Sequence, residues 1–155
     1  MTPRFRLVSI LTAVMSITVV ICPWSEARER ASAIRFTVFV EEQRVPQELE
    51  LDEWDEQCWH ALALRADGTA VATGRLLPDG HIGRMAVLAS ARGTGVGFKV
   101  LQALMAKAAE LGYRELVLNA QTHAAPFYAR AGFVQVGGEF DDAGIPHVEM
   151  RKTLA

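Results

Sequence analysis

The sequence predicts a single α/β domain: one α+β mixed sheet, a central β-sheet flanked by helices on both faces. Three observations carry this. The chain has 155 residues, half of them hydrophobic and 22% charged, which suits one globular domain with a substantial core. Short apolar runs separated by Asp-Gly turns fill residues 59–88. Beyond them, apolar side chains recur at helical spacing over residues 96–111, and a further apolar run follows at once over 115–120. Antiparallel hairpins thus precede a βαβ-like half.

The amino terminus admits several parses. Arg4 and Arg6 precede an apolar stretch over residues 7–21, the outline of an export signal or an envelope anchor. That stretch is short for a membrane span and is broken by Ser9, Thr12, Ser16 and Thr18. It ends in Ile21-Cys22-Pro23-Trp24, a weak lipoprotein box with no small-x-small cleavage pattern. The more economical parse starts the functional chain at Met15 rather than Met1. Residues 17–21 are then the first strand, 1–14 an extension outside the fold, and 15–155 the domain. Ser25 is placed to cap a helix from about Glu26, with Glu29 suited to its first turn and Ile34 and Val38 carrying it toward Val40.

Residues 43–57 read as irregular, with Pro46 as a breaker. Residues 59–65 and 69–77 read as strands joined by the Asp67-Gly68 turn, and Pro78-Asp79-Gly80 turns the chain into a central strand over 81–88. The glycine-rich turn Arg92-Gly93-Thr94-Gly95-Val96-Gly97 follows and opens a helix. Val96, Val100, Leu101, Leu104, Met105, Ala108 and Leu111 form that helix's apolar stripe, and Gly112 is its natural stop. Residues 115–120 read as a buried strand. A short helix with Pro126 in its first turn and Gly132 at its end leads to a strand from Phe133.

Composition narrows the function. A net charge of −2 gives no electrostatic footprint for nucleic acid. Cys22 and Cys58 form neither a disulfide framework nor a metal spacing, so a cytoplasmic protein with two free thiols and no metal is expected. The residues 48–56 hold the densest acidic run, which reads as a solvated loop or as an acidic lip for a cationic ligand, with Trp54 offering a cation–π face.

The glycine turn carries the chemistry. A glycine-rich turn that opens a helix presents unpaired N–H groups at the positive end of the helix dipole, a setting for phosphate. Arg92 adds a fixed cation suited to phosphate oxygens. The string lacks the Lys-Ser/Thr of a P-loop, and Phe98 stands where the third glycine of a dinucleotide fingerprint belongs. Arg92-x-x-Gly95-x-Gly97 instead resembles the pyrophosphate loop of the GNAT superfamily of N-acetyltransferases. Pro126-Phe127-Tyr128-Ala129-Arg130-Ala131-Gly132-Phe133, about 30 residues on, resembles the second signature of that superfamily. Val38-Phe39-Val40-Glu41-Glu42-Gln43, Asn119-Ala120-Gln121 and Gly144-Ile145-Pro146-His147-Val148-Glu149-Met150 resemble its ElaA-like branch, and the likeness covers roughly residues 17–154.

That resemblance implies the GNAT acyl-CoA N-acyltransferase fold, with acetyl-CoA as co-substrate. The central strand and the strand at 116–119 would splay apart and admit the pantetheine arm along Met85, Ala86 and Val87. The amides of Gly93, Thr94, Gly95, Val96 and Gly97, with the Arg92 side chain, would hold the pyrophosphate. Asn119 would hydrogen-bond the arm and Phe127 would pack against it. Tyr128 stands where the family keeps its proton donor to the CoA sulfur, and the Val87 N–H is placed to stabilise the developing oxyanion. The base is open among His147, His81, His123, Glu41 and Glu42; an imidazole in the Gly-Ile-Pro-His segment favours His147. The implied acceptor is a primary amine on a small molecule or peptide, with no nucleic-acid or membrane partner, and GNAT relatives are often homodimers. The alternative is a catalytically inactive acyl-CoA-binding regulatory module.

Overall fold

The computed structural model describes residues 16–154; the expected extension 1–14 and the start at Met15 lie outside the described residues. Strand β1 (Ile17–Pro23) opens the fold and pairs antiparallel with β2 (Trp59–Arg65). Residues 17–21 are therefore sheet, not an anchor helix, and among the described residues no helix is long and apolar enough to cross a membrane. Helix α1 (Trp24–Arg35) starts directly after Pro23 and has no side-chain cap, so Ser25 lies inside the helix rather than capping it. Ala27, Ala31 and Ile34, spaced four and three apart, are almost wholly buried on one side. The helix then widens into a π turn, Phe36–Glu42. Such an extra residue re-aims everything after it. Here Val38, buried in the core, and Phe39, Glu42 and Gln43 together line a cavity.

A seven-stranded mixed sheet forms the centre, in the order β1-β2-β3-β4-β5-β7-β6. Strands β3 (Ala70–Leu76) and β4 (His81–Val87) extend the antiparallel part from β2. Helix α2 (Val96–Glu110) then crosses over to β5 (Glu115–Gln121), which lies parallel to β4. The short α3 (Ala125–Arg130) precedes β6 (Val134–Asp142) and β7 (Ile145–Thr153). Gly112, with φ 82°, ends the α2 turn in the left-handed conformation that a Cβ disfavours.

The core lies on both faces of the sheet, which is why β2 reads as a continuous apolar run rather than an alternating one. On one face Val100, Leu101, Leu104 and Ala108 of α2 pack on Ala61, Ala63, Val71, Leu116 and Leu118. Leu111 falls off that stripe and is 42% exposed. On the other face α1 packs Ala27 and Ala31 against Leu62 and Cys22. At the far edge β6 is exposed along its whole length.

Two irregularities position the site. The parallel ladder between β4 and β5 consists of His81 with Val117 and Ile82 with Leu118, after which the strands part. The β3–β4 register also shifts between Thr73 and Arg75, so Gly74 faces both Arg84 and Met85 in a β-bulge. Arg84 has φ 50°, an uncommon conformation for a residue with a Cβ. A Cβ on Gly74 would fall 2.5 Å from Met85 Sδ and 2.9 Å from Leu104 Cδ1, so this close approach needs glycine.

Candidate active site

The gap between β4 and β5 opens into two adjoining cavities. The larger, about 960 Å³, runs from the α1 π turn to β7; the smaller, about 510 Å³, lies over the glycine turn. Val87 and Arg92 line both. Beyond Ile82, β4 has β3 as its only strand neighbour among the described residues. One edge of Met85, Ala86 and Val87 thus faces the gap, and all three line the larger cavity.

The glycine turn sits at the end of this gap. Gly93 and Gly95 have φ 77° and 82°, and Gly95 occupies the N-cap of α2 without a side-chain cap. Among the described residues, no backbone or side-chain acceptor takes the N–H groups of residues 93–97. Thr94 directs its hydroxyl back to the Ala91 carbonyl. Gly97 lets the helix start close to its neighbours: a Cβ there would meet Val87 Cγ2 at 3.3 Å and the Phe127 ring at 3.7 Å. Arg92 donates from Nε to the Val87 carbonyl at 3.0 Å and from Nη2 to the two Glu42 oxygens at 3.0 and 2.7 Å. A second bridge runs beside it, from Gln121 Nε2 to Gln43 Oε1 at 2.8 Å. The end of the π turn therefore spans the gap, touching the glycine turn on one side and β5 on the other.

Tyr128 is 9% exposed, lines the larger cavity, and packs edge-on against Phe127 and Phe133. Burial pushes its phenol up to about 12, so it holds its proton throughout the neutral range. Phe127 and Phe98 line the smaller cavity, with rings 6.0 Å apart and perpendicular. Asn119 is the exposed residue between buried Leu118 and Ala120 and lines the larger cavity.

Of the five candidate bases, His81, His123, His147 and Glu42 line the larger cavity, and Glu41 does not. His81 Nδ1 is 3.0 Å from Asp79 Oδ1, and Glu42 is engaged by Arg92. His147 is 9% exposed and sits on β7 opposite Gln121. Its Nδ1 is 2.7 Å from the Ile145 carbonyl. A carbonyl only accepts, so the proton is assigned to Nδ1 and the neutral ring keeps its lone pair on Nε2. Phe140 stacks on the ring at 6.0 Å.

The acidic run of residues 48–56 divides: Glu48, Glu53 and Glu56 are solvated, while its other carboxylates are drawn into an ion-pair network beside the larger cavity. Its Glu50 and Asp55 turn inward, 5% and 3% exposed, onto Arg35, which is 1% exposed. Arg35 donates from Nε to Glu50 and from Nη1 and Nη2 to Asp55 at 2.8 and 3.0 Å. Arg75 donates to Asp52 and Asp55 at 2.7 and 2.9 Å, and Arg84 Nη2 reaches Asp52 at 3.2 Å. Three arginines thus face three carboxylates. Burial opposes the charge on Asp52, but Arg75 and Arg84 outweigh it and hold its carboxyl below the usual range. His60 closes the cluster: its Nε2 donates to the Asp55 carbonyl at 2.8 Å, its ring packs on Trp24, and burial lowers its pKa. Trp54 lines the larger cavity at 44% exposure. Sequence reading missed this network because its arginines lie 15 to 34 residues from the groups of the acidic segment that they bind and leave no local periodicity.

A sheet parted at its parallel pair, with unclaimed helix-start amides at the end of the gap, is the build of an enzyme that moves acyl groups from acyl-CoA. Comparison with known proteins agrees. The profile of the family described as Acetyltransferase (GNAT) domain matches residues 26–154. The uncharacterized N-acetyltransferase YjcF of Bacillus subtilis is 40% identical over 136 residues, covering 86% of this chain and 97% of its own. An acyl-CoA N-acyltransferase from Pseudomonas aeruginosa superposes with a TM-score of 0.79 at 31% identity, and Escherichia coli ElaA with 0.79 at 27%. Each covers 88% of this chain and 99% of its own. The chain belongs to the GNAT family of N-acetyltransferases, and its activity is acyl transfer from acyl-CoA.

Proposed function

We propose that the protein transfers acetyl from acetyl-CoA to a primary amine of a small molecule or peptide, by direct attack within the β4–β5 gap. The observation that carries this is the parting of β4 from β5 with five unclaimed amides, residues 93–97, at its end. The pyrophosphate lies on those amides, and Arg92 approaches it from the side. The pantetheine arm runs along Met85, Ala86 and Val87 as an added strand, with Asn119 hydrogen-bonding to it and Phe127 packing on it.

A primary amine is protonated near neutrality, its ordinary pKa being about 10.4, so it must lose a proton before attack. His147 Nε2 takes that proton. The amine nitrogen then bonds to the thioester carbonyl carbon while the Val87 N–H stabilises the oxyanion. The C–S bond breaks, the electron pair leaves on sulfur, Tyr128 donates its proton to the departing thiolate, and the remaining surplus proton on the new amide nitrogen passes through solvent in the cleft to restore the phenol. The reaction belongs to the reducing cytoplasm, in keeping with buried, free Cys22 and Cys58.

Calorimetric titration with acetyl-CoA and CoA, followed by thiol release on an amine panel, tests the reading. Micromolar binding and amine-dependent release of CoA are expected. Folded protein that gives no heat with either ligand would sink the proposal.

A further inference from the structure

The acceptor end of the larger cavity holds a cation with spare capacity. Arg84 stands on the β4 bulge, next to Met85, in a left-handed conformation that turns it toward the 49–52 segment. Its Nε and Nη2 donate to the Glu50 carbonyl at 3.2 and 3.1 Å, and Nη2 also reaches Asp52. Nη1 has no acceptor among the described residues, although the side chain lines the cavity. Beneath it Arg75, 5% exposed and lining the same cavity, keeps a buried Nε–H without a partner.

The neighbouring carboxylates are already engaged. Glu50 and Asp55 are bound by Arg35, Asp52 is shared between Arg75 and Arg84 Nη2, and Glu42 is bound by Arg92. Arg84 Nε lies 3.7 Å from the Glu50 carboxylate, which leaves Arg84 Nη1 as the free donor among the described residues. Asp79 lies beside His81, and Asp142 is exposed on the far rim, at the end of β6. Burial and the positive charges of Arg75 and Arg35 work against the charge on Arg84 more than Asp52 and Glu50 favour it, so an incoming anion would relieve it.

We propose that the acceptor is an amino carboxylate: a small molecule whose amine faces Met85–Val87 and whose carboxylate is held by Arg84, with Arg75 behind it. This rests on the acetyltransferase reading of the cavity. The fork of a guanidinium suits a carboxylate, and a charge-assisted hydrogen bond of this kind sets specificity by about tenfold or more.

The test compares amino acids with their decarboxylated amines as acceptors, in wild type, R84Q and R84K. Separately, binding of N-acetyl amino acids and N-acetyl alkylamines to the CoA-bound protein is measured by calorimetry. Wild type should prefer the carboxylates by about tenfold or more in kcat/KM and in binding, and R84Q should collapse that ratio toward one, with R84K intermediate. Equal preference in wild type, or a ratio unchanged in R84Q, overturns the assignment. Absence of turnover with every amine defeats the acetyltransferase reading alone, because the binding ratio still decides the role of Arg84.

Discussion

Tyr128→Phe removes one O–H and leaves the rest of the ring in place. The ring's packing on Phe127, at 5.0 Å, and on Phe133, at 6.2 Å, is apolar and survives the change. Among the described residues nothing accepts from or donates to the hydroxyl, so the stability change should stay under about 1 kcal/mol, or a few degrees in Tm. The effect on rate is larger. With its pKa pushed up to about 12, the phenol is fully protonated at working pH and available as an acid. General acids contribute about 10² to 10⁴ in rate, and the open cleft lets water substitute in part. The expected loss in kcat is therefore at least about tenfold, or roughly 1.4 kcal/mol of barrier. CoA release measured as free thiol between pH 6 and 9.5 reads this, with the acetyl-CoA Kd from calorimetry as the control. That Kd should change by less than about threefold, which is under 1 kcal/mol. Any alkaline decline in this range belongs to another group and should persist in the variant, because a phenol at about 12 loses no proton there. A kcat within about twofold of wild type, with donor binding intact, would remove Tyr128 from the chemistry.

Arg35→Met leaves Glu50 and Asp55 buried without their main partner, and breaking such a pair costs about 3–5 kcal/mol, or roughly 10 °C in Tm. A loss under about 1 kcal/mol in urea denaturation, the worth of an exposed pair, would mean that Arg75 and Arg84 suffice. His60 titrates lower in the folded state than its ordinary 6.5, so the unfolded chain takes up its proton first as pH falls. Its contribution is fully present above about pH 6.5 and declines below it down to the folded pKa. His60→Gln should flatten that slope in denaturation midpoints between pH 6.5 and 5, and an unchanged slope would assign it to other groups. Gly74→Ala drives a methyl into Met85 and Leu104 and should cost about 1–3 kcal/mol. Much of this should return in Gly74→Ala/Met85→Ala, whereas simple additivity of the two changes would show that the bulge does not depend on this contact.

The parts legible in the sequence are those with local periodicity or local turn chemistry. The Asp67-Gly68 hairpin, the α2 stripe from Val96 to Ala108 and the Gly112 stop all stand where the residues predict. The parting of β4 and β5 carries no local signal and was accessible only through likeness to a family. The π turn was equally silent, because residues 36–42 keep helix-compatible side chains and the extra residue shows only in what they face. The acidic run was legible only in part, because charge density alone does not say that Glu50 and Asp55 turn inward while Glu48, Glu53 and Glu56 stay solvated. Arg35, Arg75 and Arg84 were the missing half, and each stands in an element read for its apolar residues. The β3–β4 bulge had a faint signal in Gly74, a glycine inside a strand, whose reason is Met85 across from it.

The parallel ladder between His81–Ile82 and Val117–Leu118 also has a mechanical meaning. Its backbone joins β1 to β4 with β5 to β7 by a ladder two residue pairs long, and the side chains of α2, packed on Leu116 and Leu118, cross the same seam. Between these halves the sheet's own hydrogen bonds are fewest, so side-chain packing carries most of the connection. Ligand that fills the opened seam would act as a splice, stiffening the molecule along the line where its own backbone does least.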